Sequence, residues 1–123
     1  MRLLIVDDSE AFVERLTLSL TKVPGVEVVG SAGNVADAIL RIRQTKPDVV
    51  ILDIGMPGGS GIDVLEGLKQ DPFQPIVIVL SNHTHRQYRR KCQTYGVRFY
   101  FDKSTEYQMV AAVLRGLMKK AAA

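Results

Sequence analysis

The 123-residue sequence predicts an α/β fold, a parallel sheet covered on both faces by helices. Two observations carry this. Short apolar, β-branched runs alternate along the whole chain with segments whose apolar residues recur at helical spacing. The runs Val49-Val50-Ile51-Leu52 and Ile76-Val77-Ile78-Val79-Leu80 are apolar throughout, as strands buried on both faces require. Five such runs and five helical segments make up the pattern.

The other three strands are read at Leu3-Leu4-Ile5-Val6, at Val26-Glu27-Val28-Val29 and from Val97 to Phe101. Phe12, Leu16, Leu20 and Val23 line one face of the first helix, and Val35, Ala38, Ile39 and Ile42 one face of the second. Ile62, Leu65 and Leu68 mark a short third helix, and Val110, Val113, Leu114 and Leu117 the last. Ser9, Asn34 and Ser104-Thr105-Glu106 are start signals for the first, second and last helices. Pro24-Gly25 and Lys46-Pro47 punctuate returns to strands. The segment from Thr84 to Thr94 has only Tyr88 and Cys92 as an apolar pair, among Arg86, Arg89, Arg90 and Lys91. It is read as a thinly anchored fourth helix, able to shift at low cost.

No linker, repeat or low-complexity block divides the chain, so residues 1–120 are read as one domain. Residues 121–123, all alanine, are read as a disordered tail or remnant. No apolar run reaches the roughly 20 residues that span a bilayer, and no secretory signal precedes the first strand. A cytoplasmic location is therefore expected. The single cysteine, Cys92, allows no intramolecular disulfide.

In parallel α/β sheets, sites form at the carboxyl ends of strands. Here those ends carry Asp7-Asp8 after the first strand, Asp53 after the third, Ser81 after the fourth and Lys103 after the fifth. Three carboxylates brought together repel one another. A divalent cation relieves that repulsion, and an all-oxygen donor set favours Mg²⁺ over zinc. A carboxylate nucleophile, a metal and an ammonium are the parts that phosphoryl transfer requires, and the product is an acyl phosphate. Each residue alone has a plainer reading: Asp7-Asp8 as a helix cap, Ser81 as another, Lys103 as a solvated turn residue. Their joint occurrence at four strand ends is what favours a site.

The pattern resembles the response-regulator receiver domain of bacterial two-component systems, a CheY-like family, over Arg2 to about Lys119. The resemblance rests on the acidic pair Asp7-Asp8 and on Asp53-Ile54-Gly55-Met56-Pro57 with Gly61 beyond. It rests also on Ser81 and on Tyr100 three residues before Lys103. It implies a flavodoxin-like three-layer sandwich of strand order 2-1-3-4-5. It implies that Asp53 accepts a phosphoryl group from the phosphohistidine of a sensor histidine kinase or phosphotransfer protein, becoming 4-aspartylphosphate. Asp8 and Asp53 would bind Mg²⁺ directly, Asp7 through water, and Gly55 through its backbone carbonyl. Lys103 would contact the phosphoryl oxygens. Ser81 would hydrogen-bond the phosphoryl group and let Tyr100 rotate inward, switching the surface of the fourth helix, fifth strand and fifth helix for an unidentified downstream protein or for a homodimer. No enzymatic activity is expected beyond Mg²⁺-dependent self-phosphorylation and autodephosphorylation.

Departures from the family pattern are Asn82 after Ser81, where a small residue is usual, and Ser104 after Lys103 in place of proline. The latter argues against a cis bond there. Gly55 and His83 border the path of hydrolytic water in the family. The chain is read as a stand-alone regulator, with a receiver cut from a DNA-binding transcriptional regulator as the alternative. A flavodoxin would need a phosphate-cradling first loop, which Asp7-Asp8-Ser9-Glu10 would repel. An aspartyl phosphatase would need its two aspartates two residues apart, not adjacent. The run 56–61 lacks the Lys-Ser/Thr of a P-loop. His83 and His85 are read as loop polar residues rather than metal ligands. The basic cluster on the fourth helix is read as a solvated face or a docking surface for an acidic protein. Direct nucleic-acid binding is not expected.

Overall fold

The computed structural model describes residues 1–82 and 86–122. Five parallel strands form one sheet: β1 (Arg2–Val6), β2 (Glu27–Ala32), β3 (Val49–Leu52), β4 (Ile76–Ser81) and β5 (Phe99–Asp102), in the order 2-1-3-4-5. Helices α1 (Glu10–Leu20), α2 (Val35–Thr45), α3 (Gly61–Leu68), α4 (Arg86–Thr94) and α5 (Met109–Ala122) connect or follow them. This is the predicted architecture and strand order. Among the described residues no helix is long and apolar enough to cross a membrane.

Side-chain alternation along the strands divides the core in two. Leu4, Val6, Val50, Leu52 and Val79 face α2, α3 and α4, meeting Ala38, Ile42, Val64, Leu65, Leu68 and Cys92. Leu3, Ile5, Val49, Ile51, Ile78 and Leu80 face α1 and α5, meeting Phe12, Leu16, Leu20, Val110 and Leu114. The fourth helix is held as its sequence suggests: Cys92 is fully buried, Tyr88 half-buried, and every other residue exposed. Burial pushes the Cys92 thiol up to about 11, so it is packing rather than a reactive group. Thr84 and His85, assigned to this helix from sequence, lie outside the described residues, as does His83.

Helix starts at Ser9 and Asn34 are those expected. The Ser9 hydroxyl accepts from the Phe12 amide at 3.3 Å, and the Asn34 side-chain oxygen from the Asp37 amide at 2.9 Å. The last helix departs from expectation, beginning at Met109 and not at Ser104-Thr105-Glu106. Asp102 has captured those residues in a turn of its own. Its Oδ1 accepts from the amide and hydroxyl of Ser104 and from the Thr105 amide, while Glu106 Oε1 accepts from the Asp102 amide at 3.0 Å. Ala121 and Ala122, read as a disordered tail or remnant, continue α5, in keeping with the high helix propensity of alanine. β2 runs on to Ala32 through Gly30 and Ser31 because β1 pairs with it to the end, Val6 opposite Ala32. β5 starts at Phe99, not Val97, because the Val97 amide donates to the Cys92 carbonyl and closes α4 instead. The Lys103–Ser104 peptide is trans.

Candidate phosphoryl-transfer site

Strand register assembles the site. Val6 pairs with Leu52, and the Asp53 amide donates to the Val6 carbonyl at 2.9 Å, so Asp7 and Asp53 emerge side by side. Ser81 pairs with Asp102, and the Lys103 amide donates to the Ser81 carbonyl at 3.0 Å. The four predicted strand ends therefore meet at one edge of the sheet.

Asp7 and Asp53 are buried, whereas Asp8 is exposed at the rim. One carboxylate oxygen from each of Asp7, Asp8 and Asp53 lies within 4.8 Å of the others. The Lys103 ammonium is 2.5 Å from Asp7 Oδ2 and 3.6 Å from Asp53 Oδ2. Asp7 Oδ1 also accepts from the Ser9 amide at 2.9 Å, which ties it to the start of α1. Ser81 is fully buried, its hydroxyl close enough to Asp53 to favour the ionised carboxylate. Burial, followed by the charge of Asp7, raises the Asp53 pKa. Lys103, the Ser81 hydroxyl and the Ile54 amide pull the other way without cancelling it. Asp53 is thus a desolvated carboxylate held in place but not fully neutralised.

The raised pKa fixes a sign. Above the ordinary carboxylate value, folded Asp53 keeps its proton to higher pH than the unfolded chain does, so the folded state binds more protons there. In metal-free protein, the Asp53 contribution to stability falls as pH rises through that window.

Gly55 opens a short antiparallel ladder, Gly55–Met56 with Gly59–Ser60. Pro57 followed by Gly58 (φ 77°) gives the proline-then-glycine order of a tight turn. The ladder ends in a capping box: Asp63 accepts from the Ser60 amide at 2.8 Å, and the Ser60 hydroxyl caps the start of α3. Asp63→Ala removes one partner of that box and should cost about 1 kcal/mol, read as a lower urea midpoint. Gly61 touches the site most closely. A Cβ there would collide with the Asp53 carbonyl oxygen and stand 3.1 Å from Ile54 Cα.

Tyr100 is half-buried on β5, packed on the α4 side of the sheet, with the Arg89 guanidinium 5.0 Å from its ring centre. Burial is the main cause pushing its hydroxyl up to about 12. Asn82 is exposed beside Ser81. Helical spacing marks Phe12 only as a core residue, yet its ring centre lies 4.3 Å from the Lys103 ammonium. The helical spacing that marks Phe12 as buried carries no sign of that second contact.

Residues 3–115 match the family model of the response regulator receiver domain. The chain belongs to this family. Receiver domains are the phosphate-accepting signalling modules of two-component systems and bind Mg²⁺ at an acidic pocket. The chain is 42% identical over 84 residues to a protein-glutamate methylesterase/protein-glutamine glutaminase of Desulfotalea psychrophila, covering 68% of this chain and 23% of that protein. A second such relative, from Agrobacterium fabrum, is 44% identical over 85 residues, covering 69% and 24%. The chain thus spans only about a quarter of these curated relatives. Among solved structures, the response regulator domain of Thermotoga maritima CheB has 27% identity and a TM-score of 0.83, with 98% of this chain and 95% of that one covered. A CheX-CheY-BeF3-Mg complex from Borrelia burgdorferi has 26% identity and a TM-score of 0.85, with 96% and 89% covered.

Proposed function

We propose that Asp53 is the phosphoacceptor of this receiver domain and takes its phosphoryl group from the phosphohistidine of a sensor kinase or phosphotransfer protein in the cytoplasm. The observation that carries this is the Lys103 ammonium within reach of both Asp7 and Asp53. A cation between two buried carboxylates is placed to follow negative charge onto phosphoryl oxygens. An Asp53 oxygen forms the new bond to phosphorus as the bond to the donor imidazole nitrogen breaks. The leaving imidazole takes up a proton, and 4-aspartylphosphate remains.

The donor set fits Mg²⁺: carboxylate oxygens only, clustered and mutually repelling. Asp8 and Asp53 would hold the ion directly, Asp7 through water, and Gly55 through its backbone carbonyl. When bound, it neutralises the carboxylates and the incoming phosphoryl oxygens. Ser81, buried beside the Asp53 carboxylate in the unmodified site, would donate a hydrogen bond to a phosphoryl oxygen. Its loop would then move inward, and Tyr100 would follow.

The output face is then α4, β5 and α5. From Asn82 to Phe101 the sequence has five basic residues (Arg86, Arg89, Arg90, Lys91 and Arg98) and none of the chain's 13 acidic ones. Among the described residues none of the five enters an ion pair. An acidic protein partner complements such a face, whereas a second copy presenting the same helix would set arginine against arginine. Arg89, Lys91 and Arg98 stack on Tyr100, Tyr95 and Phe99.

The reading is tested by Mg²⁺ titration and by fluoroberyllate binding, followed through amide resonances. Lys103→Ala should keep Mg²⁺ binding but lose the conformational response at Tyr100 and Ser81. An unchanged response would remove Lys103 from the mechanism.

A further inference from the structure

Lys103 has a third partner besides the two carboxylates. Its ammonium lies 4.3 Å from the centre of the Phe12 ring, well inside cation–π range. Phe12 is the third residue of α1, in its first turn, where the Ser9 hydroxyl accepts from its amide. The ring itself is packed in the α1–α5 half of the core. The β1–α1 junction thus contributes two groups around one ammonium: Asp7 oriented by the Ser9 amide, and a ring fixed by the cap and the core. The Arg15 guanidinium lies 5.9 Å from the same ring, at the helix surface.

We infer that Phe12 is a positioning residue for Lys103, holding its ammonium over the Asp7–Asp53 pair before and after Asp53 is charged; this rests on the function proposed above. A lysine side chain is free to take many rotamers, and at rest this one makes its closest contact with Asp7, not with Asp53. To serve a phosphoryl group, the ammonium must shift away from Asp7. A carboxylate partner resists that shift through a directional hydrogen bond. A ring face does not, because its attraction is spread over the quadrupole and persists while the ammonium moves across it. The ring also replaces water on one side of the ammonium, which keeps the neighbouring charges strongly coupled. Arg15 shares the ring but touches no site carboxylate, so it serves as a control.

The test combines three measurements on the intact chain. The first is the rate of Asp53 labelling by acetyl phosphate with Mg²⁺. Phe12→Leu should slow it about three- to tenfold. Phe12→Tyr, which keeps a ring face, should restore most of the rate, and Arg15→Gln should leave it close to wild type. The second is metal-free: reductive methylation of Lys103, followed by peptide mass spectrometry, should be about three- to tenfold faster in Phe12→Leu than in Phe12→Tyr. The third is a urea-denaturation cycle crossing Phe12→Leu with Lys103→Met. The folding equilibrium constant should show a coupling of about the same size. Equal behaviour of the Leu and Tyr variants, or no coupling in the cycle, would overturn the inference and leave Phe12 as core packing. Failure of the proposed function shows separately, as absence of Mg²⁺-dependent label on Asp53 in the wild-type protein, and involves no Phe12 variant.

Discussion

Asp53→Asn should abolish labelling by acetyl phosphate and the Mg²⁺-dependent response to fluoroberyllate, and should stabilise the metal-free fold at the same time. Loss of the reaction follows because an amide cannot form the acyl phosphate, and none of the other carboxylates holds the same place. Asp7 is committed to Lys103 and to the Ser9 amide, and Asp8 lies exposed at the rim. The gain in stability follows from the raised pKa of Asp53, which marks an ionised form penalised by burial and by Asp7. Asparagine removes that charge while keeping the shape and one side-chain oxygen. The increase should be on the order of 1 kcal/mol at neutral pH, read as a higher thermal midpoint without Mg²⁺. It should shrink as pH is lowered toward the ordinary carboxylate range, where wild-type Asp53 is itself protonated. A variant that lost labelling and also lost stability at neutral pH would show that the charge of Asp53 holds the fold together, contrary to its buried, repelled setting.

Gly61→Ala should have the largest effect on stability. The Gly61 amide donates to the Ile54 carbonyl at 2.7 Å, so two backbone segments pass within contact distance where the β3 loop meets α3. An alanine methyl would run into the Asp53 carbonyl oxygen, with Ile54 Cα close behind. Both obstacles are backbone, which cannot rotate away as a side chain could. The loop must separate, at a cost of about 3 kcal/mol, and Asp53 would be displaced with it. Urea denaturation should show the lower midpoint, and acetyl phosphate labelling should fall at least about tenfold, since a shift of about 1 Å at a reacting group costs more than that. Wild-type stability in Gly61→Ala would mean that the loop has room the structure does not provide.

Much of this was legible in the sequence because two physical patterns are written into it directly. The unbroken apolar runs at 49–52 and 76–80 identify buried parallel strands, and burial on both faces follows for β3 and the inner part of β4. The site residues were legible because parallel strands bring their carboxyl ends to one edge, whatever separates Asp7, Asp53, Ser81 and Lys103 along the chain. Features set by three-dimensional contact were not legible. The start of α5 moved to Met109 because Asp102 competes for Ser104 and Thr105, and three capping-type residues in a row do not reveal which donor wins. Gly61 stood out as a motif position, but its reason, the approach of the Asp53 carbonyl, exists only in the fold. Phe12 reads as an ordinary core residue because helical spacing reports which face is buried, not which polar group a buried ring meets.

The most direct test is to locate the phosphoryl group. Wild-type protein is incubated with acetyl phosphate and Mg²⁺, the acyl phosphate is trapped by borohydride reduction, and the modified peptide is sequenced by mass spectrometry. Modification at Asp53, absent when Mg²⁺ is chelated, is the predicted result. Modification at Asp7 or Asp8, or none at all under conditions where the protein is folded and binds Mg²⁺, would contradict the account.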